Sequence, residues 1–87
     1  MYSQACSIEA RIRREIVEGL GYSGHLEGSQ SLRQAAVFDS SNVLEFVMFL
    51  EDEFEISVES DDMVLDTFES IDNLVAFVAS KQRAKAA

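Results

Sequence analysis

The sequence predicts an all-α domain. Apolar residues recur at helical spacing in three segments, glycine and serine are concentrated between the first two of them, and no segment shows strand alternation. A length of 87 residues suits one domain spanning 1–87. We expect about residues 5–80 to be structured and residues 81–87 to form a frayed tail.

The first helix is indicated by apolar residues at helical spacing: Ile8, Ile12, Ile16, Val17 and Leu20. Gly21 follows where a helix would end. Residues 21–38 contain several glycines and serines, with scattered apolar anchors at Leu26, Leu32 and Val37. This composition predicts a long loop between helices one and two, and such loops are often functional or wrap the core.

The second helix is predicted from about Ser40 to Phe54, and Asp39 is placed to accept hydrogen bonds from its first free amides. A helical wheel gives it one core-facing stripe: Val43, Phe46, Val47, Leu50 and Phe54. Leu44 and Met48 lie outside that stripe. Their face also carries polar residues: Ser41, Glu45 and Asp52. Either the loop or a neighbouring helix covers this apolar pair, or the pair is a docking surface to which methionine adapts.

Two further helical segments complete the prediction. Residues 60–65 are expected to form one or two helical turns. Ser70 then caps a last helix whose apolar stripe comprises four residues: Ile71, Leu74, Val75 and Val78.

The charge excludes several classes of partner. Seven basic and sixteen acidic residues give a net charge of -9, which disfavours binding to nucleic acid or to anionic membranes. No apolar run approaches the roughly 20 residues that span a bilayer, and the mixed charges of the first twenty residues are unlike a secretory leader. The single cysteine, Cys6, suits a reducing compartment. We expect a cytoplasmic monomer.

The acids are unevenly distributed, since residues 34–80 contain no lysine or arginine. Four acids fall near the negative end of the second helix dipole, where each costs about 0.3 to 1 kcal/mol: Glu51, Asp52, Glu53 and Glu55. A solvated face is the common explanation of such a run. We interpret it instead as a surface recognised by lysine or arginine on partner enzymes.

Catalytic and metal-binding patterns are missing from the sequence. The single histidine, His25, lies in a glycine-rich stretch, where a histidine is usually solvent-exposed. No cysteine and histidine set has metal-ligand spacing, and the segment from Asp39 to Val43 lacks the oxygen ligands and glycine of a calcium loop. The sequence therefore predicts a protein that is not an enzyme.

The pair Asp39-Ser40, followed by Glu45-Phe46-Val47-Met48 and by Leu50-Glu51-Asp52-Glu53-Phe54, resembles the acyl carrier protein family over nearly the whole chain. The resemblance implies a small bundle of three long helices and one short helix. It also implies a 4'-phosphopantetheine arm, taken from coenzyme A by a phosphopantetheinyl transferase, on the serine that matches Ser40, beside Asp39. Acyl groups are carried as thioesters on the thiol of this arm.

Partners implied by the resemblance are acyl-loading ligases or transferases and synthases with basic docking patches, in fatty-acid, polyketide or other specialised biosynthesis. Six residues are the candidate partner-binding set: Ser41, Leu44, Glu45, Met48, Glu51 and Asp52. The chain departs from the family at Ser41, where leucine is usual, and within residues 36–38, where a glycine is common.

Two other functions stay open at this point. Peptidyl and aminoacyl carriers share the fold, and an unmodified acidic helical adaptor could bind basic partners through charge and through Leu44 and Met48. In the adaptor, Asp39 or Ser40 would only cap the second helix.

Overall fold

The computed structural model describes residues 4–39, 41–63 and 66–86, and the surroundings of side chains for 8–39, 41–63 and 66–84. It contains three α-helices: α1 (Gln4–Arg14), α2 (Asn42–Phe54) and α3 (Ile71–Ala86). A π-helical turn, Glu15–Gly19, continues α1, and a 3₁₀ turn, Ser60–Asp62, lies between α2 and α3. The described ranges contain no β-strand, so the all-α prediction is confirmed.

The predicted apolar stripe of the first helix is confirmed except at Val17. Ile8, Ile12 and Ile16 are buried, but the side chain of Val17 is 54% exposed. The amide of Leu20 donates to the carbonyl of Glu15 at 3.0 Å, five residues earlier. On a regular helical wheel Val17 already lies about 100° from Ile16, at the edge of the stripe, and in the structure it lies in the π turn and is exposed.

The chain between the π turn and α2 wraps the core. Leu26, Leu32 and Val37 are buried, as the scattered apolar anchors predicted. Two backbone hydrogen bonds fix this segment near the start of α3: the amide of Leu32 donates to the carbonyl of Glu69 at 2.7 Å, and the amide of Asp72 donates to the carbonyl of Gly28 at 2.9 Å.

One hydrophobic cluster joins all three helices. From α2 it takes Phe46, Leu50 and Phe54 of the predicted stripe, whereas Val43 and Val47 are half-buried. From α3 it takes three buried residues: Ile71, Leu74 and Val78. The hydroxyl of Ser70 accepts a hydrogen bond from the amide of Asn73 at 3.1 Å, which confirms the predicted cap. The last helix continues to Ala86, through most of the segment expected to fray.

The short helix expected over residues 60–65 is a 3₁₀ turn of three residues in the described part of that segment. Val64 and Leu65 lie outside the described residues. The turn closes on itself, because the carboxylate of Asp62 accepts a hydrogen bond from the amide of Glu59 at 3.0 Å and the carbonyl of Glu59 accepts one from the amide of Asp62 at 2.9 Å. Three α-helices are therefore present, and a four-helix bundle is not confirmed.

Among the described residues, no helix has the length and the apolar character needed to cross a membrane.

Candidate functional site

The start of α2 is organised by Asp39. Its carboxylate oxygen Oδ1 accepts hydrogen bonds from the amides of Ser41 and Asn42, both at 2.8 Å. In return, the amide of Asp39 donates to the side-chain oxygen of Asn42 at 2.7 Å, and the side-chain nitrogen of Asn42 donates to the carbonyl of Val37 at 3.0 Å. Asp39 is therefore the residue that caps α2, as the sequence predicted.

Ser40, the predicted attachment point, lies outside the described residues. Its two neighbours, Asp39 and Ser41, are exposed. An exposed chain on both sides fits a residue that a modifying enzyme must reach. Because Asp39 already supplies the cap, α2 does not depend on the hydroxyl of Ser40 for that purpose.

Few amides at the start of α2 are left for a phosphodiester on Ser40. Asp39 already occupies the amides of Ser41 and Asn42, and its carbonyl accepts from the amide of Val43 at 3.2 Å. A phosphodiester on Ser40 would still gain from the positive end of the helix dipole. It would also lie close in sequence to the carboxylate of Asp39, which opposes that gain.

Leu44 and Met48 are the most exposed large apolar residues in the described chain, with 60% and 63% of each side chain in solvent. They are four residues apart on α2, so their side chains are neighbours on one face. The interpretation in which the loop or another helix covers them is wrong. The helix instead presents an apolar pair to solvent.

Carboxylates border this apolar pair. Glu45 and Asp52 are exposed, and within the described residues neither forms an ion pair. Ser41 is also exposed, one turn before Glu45. We call Ser41, Leu44, Glu45, Met48 and Asp52 the docking face. This surface therefore has an apolar centre flanked by two carboxylates. A basic partner can pair with these carboxylates without displacing another cation.

Glu51 differs from the other candidate partner-binding residues. It is half-buried, and its carboxylate accepts a hydrogen bond from the amide of Val58 at 2.9 Å. Glu51 therefore stabilises the chain that follows α2, and we leave it out of the docking face.

Local structure also explains part of the acid cluster, which corrects the interpretation of all four acids as a recognition surface. Glu53 forms an ion pair with Arg11 of α1 at 3.3 Å, and the Arg11 guanidinium lies 5.9 Å from the centre of the Phe54 ring. Elsewhere in the segment without basic residues, Asp62 binds Lys81 at 2.7 Å and Glu69 lies 3.9 Å from Arg33. These cations come from outside residues 34–80, so no local sequence pattern reveals the pairs.

A second acidic site, not predicted from the sequence, lies between α1 and α2. A cleft of about 270 Å³ is lined by six residues: Arg11, Arg14, Glu15, Glu18, Phe49 and Glu53. Burial raises the pKa of Glu15, and the nearby carboxylates of Glu18, Glu45 and Glu53 raise it further. Phe49 packs against Phe46 and Phe54, with ring centres 5.5 and 5.8 Å away.

The remaining polar side chains include one histidine and several carboxylates. His25 is exposed, and its Nε2 lies 2.7 Å from the carboxylate of Glu27. In the part of the chain that is described, no group of three or more histidine, cysteine, aspartate or glutamate side chains could hold a metal ion. In comparisons with known proteins, neither a family model nor a curated protein matches this sequence.

Proposed function

We propose that the chain is a carrier protein that holds acyl groups as thioesters on a 4'-phosphopantetheine arm attached to Ser40. The observation that carries this proposal is the docking face, which begins beside Ser40. It combines an exposed apolar pair, Leu44 and Met48, with the carboxylates of Glu45 and Asp52, which form no ion pair within the described part of the chain. A hydroxyl next to a surface suited to basic enzymes is what a carrier requires.

Exposure of Leu44 and Met48 leaves hydrophobic free energy available for binding a partner. A leucine side chain gains about 1.5 to 3 kcal/mol from full burial, and Leu44 forgoes most of this in the isolated chain. A partner that covers Leu44 and Met48 recovers part of that free energy. The two flanking carboxylates then orient the partner and speed its approach.

The arm itself explains how a protein without a catalytic site takes part in chemistry. The Ser40 oxygen attacks the coenzyme A phosphorus that carries the pantetheine, and a phosphodiester forms on Ser40. The pyrophosphate P–O bond breaks, adenosine 3',5'-bisphosphate leaves, and the hydroxyl proton passes to a base of the transferase. The tether then keeps the acyl thioester at high effective concentration near each docked enzyme. Asp39 holds the start of α2 in place beside the attachment point.

The partners in this proposal are a phosphopantetheinyl transferase, an acyl-loading ligase or transferase, and a synthase, each with a basic docking patch. The protein acts as a cytoplasmic monomer. The short segment around Ser60–Asp62 takes the place of the short helix in the three-plus-one helical bundle of acyl carriers. An aminoacyl or peptidyl cargo on the same arm is the second form of the proposal.

A mass measurement tests the proposal directly. The intact chain is incubated with coenzyme A and a transferase of broad specificity, and mass spectrometry measures the product. We expect a gain of one phosphopantetheine, none for Ser40→Ala, and an unchanged gain for the matched control Ser41→Ala.

An absent gain in the wild-type chain overturns the carrier function and favours the unmodified adaptor. A gain that survives in Ser40→Ala but disappears in Ser41→Ala moves the attachment to the next serine. Loading of the modified chain by acyl and by aminoacyl ligases then separates the two classes of cargo.

A further inference from the structure

The segment of residues 57–63, which we call the strap, connects the end of α2 to the chain before α3 with little apolar burial. None of its side chains is fully buried. Val58 is half-buried, and Met63 is 39% exposed. Val58 packs against the core, but the other described residues of the strap have no such apolar anchor. Segments with few buried apolar contacts open at lower free energy than the core, so polar contacts are needed to hold the rest of the strap in place.

One such contact fastens the strap to α2. The carboxylate of Glu51 accepts a hydrogen bond from the amide of Val58 at 2.9 Å. Seven residues separate the two groups, so the bond reaches from the last turns of the helix to the first part of the strap.

A second contact fastens the strap to α3. The carboxylate oxygen Oδ2 of Asp62 accepts from the Lys81 ammonium at 2.7 Å and also from the amide of Glu59 at 3.0 Å. The same oxygen therefore closes the 3₁₀ turn and binds it to α3. The Lys81 ammonium also lies 5.7 Å from the centre of the Phe77 ring, which holds the lysine against its own helix.

One residue from each of these two contacts, Glu51 and Lys81, lines the same cleft. This cleft, of about 590 Å³, lies between the end of α2 and α3 and is lined by six residues: Glu51, Glu55, Ile56, Ser57, Lys81 and Ala84. The backbone departs from helical geometry on both sides of the strap: Glu55, which ends α2 two residues before the strap, is left-handed at φ 54°, and Met63, the last residue of the strap, has φ -84° and ψ 61°. These positions can act as hinges, because few residues need to change for the strap to move.

We propose that the strap is a conformational latch, closed by the bond between Lys81 and Asp62, which opens over the cleft while the three helices stay folded. The charge states support a latch that is closed at neutral pH. The bond to Lys81 and the amide of Glu59 lower the pKa of Asp62, and the bond to Asp62 raises the pKa of Lys81, so both groups keep their charges. The latch is independent of the carrier function, since it needs no arm.

Hydrogen exchange of the intact, unmodified chain tests the latch. We expect Lys81→Met to speed exchange of the Val58 and Glu59 amides, which donate to the carboxylates of Glu51 and Asp62, by roughly two- to fivefold, the range that a partly exposed ion pair supports. Amides of Phe46, Leu50 and Leu74 should exchange as in the wild type. Lys81→Arg keeps the charge and the donor, so it serves as the matched control and should restore slow exchange.

A second variant separates the latch from a simple loss of stability. Asp62→Asn weakens the bond to Lys81 but still offers an oxygen to the amide of Glu59. We expect it to act like Lys81→Met, and the double variant to exceed neither single one, because both changes break the same bond. Unchanged strap exchange in Lys81→Met, additive effects in the double variant, or faster exchange in the core amides as well would each overturn the proposal.

Discussion

The two long faces of α2 have opposite surroundings although both carry large apolar residues. On one face Phe46 and Leu50 are fully buried, while on the other Leu44 and Met48 are each more than half exposed. The buried face contributes to the core shared by all three helices. The exposed face has no such role in the isolated chain, so its residue types need an explanation other than folding.

The acids of α2 divide in the same way. Glu51 and Glu53 bind groups within the molecule, the amide of Val58 and the guanidinium of Arg11. Glu45 and Asp52, which border the exposed apolar pair, form no ion pair among the described residues. The run Glu51-Asp52-Glu53 therefore combines two residues that bind groups within the molecule with one, Asp52, that forms no ion pair among the described residues.

The contrast between the two faces of α2 predicts that truncating a side chain lowers the free energy of unfolding much more on the buried face than on the exposed face. Phe46→Ala should lower the free energy of unfolding by about 3 to 5 kcal/mol, because it removes a fully buried ring and leaves a cavity. Met48→Ala should change it by less than about 0.5 kcal/mol, as expected for an exposed side chain. Urea unfolding followed by circular dichroism measures both. A large loss in Met48→Ala would show that the exposed face supports the fold.

Reversing a charge on the docking face tests whether the exposed face of α2 affects the rate of phosphopantetheine transfer. Glu45→Lys should slow phosphopantetheine transfer by about tenfold, because it replaces an attractive charge by a repulsive one at the site of encounter. The unfolding midpoint should stay close to that of the wild type. The measurement is transferase kcat/KM at low salt, with Glu18→Lys as a control that changes the charge equally outside α2. Equal slowing in both variants would indicate an effect of net charge only.

The cap of α2 belongs to the folding part of this helix, even though it adjoins the proposed attachment point. Asp39→Ala should cost about 1 kcal/mol of stability, since the amides of Ser41 and Asn42 lose their acceptor. Asp39→Asn keeps a side-chain oxygen and should lose less. Thermal unfolding compares the two. If Asp39→Ala leaves the unfolding temperature unchanged, Asp39 does not stabilise the fold and its role lies in partner recognition.

A stabilising change tests the turn that leads into α2. Ala36 has a left-handed backbone, with φ 58°, which strains a residue that has a Cβ. Ala36→Gly should gain about 0.5 to 1 kcal/mol, the relieved strain less the added freedom of the unfolded chain. The neighbouring Ala35→Gly should destabilise, because the same freedom is added without any strain to relieve. Urea midpoints for the two variants should therefore move in opposite directions.

The smallest effect is expected at Glu15, between α1 and α2. Because its pKa is raised in the folded chain, the native state holds this proton to higher pH than the unfolded state does. Its contribution to stability is complete below the ordinary glutamate pKa and is lost as the pH rises through the raised value. Glu15→Gln should stabilise at neutral pH and flatten the pH dependence in that window, whereas Asp61→Asn, at an exposed carboxylate, should do neither. A carbon-13 NMR titration of Glu15 measures the pKa itself.

The sequence by itself determined the helical class and most of the core. The spacing of Ile8, Ile12 and Ile16 requires one buried helical face, and the same argument holds for Phe46 and Leu50. Local chemistry also determined both predicted caps, because Asp39 and Ser70 bond to amides two or three residues away. Apolar period and capping depend on short stretches of chain, so a sequence contains them completely.

Tertiary structure alone decided which charged residues form ion pairs and which apolar residues are exposed. Glu53 meets Arg11, and Asp62 meets Lys81, across distances in sequence that no periodicity encodes. The exposure of Leu44 likewise depends on where the loop and the other helices pack. The physical reason is that an ion pair or a covered surface requires two distant segments to meet, and that meeting is fixed by the packing of the whole core.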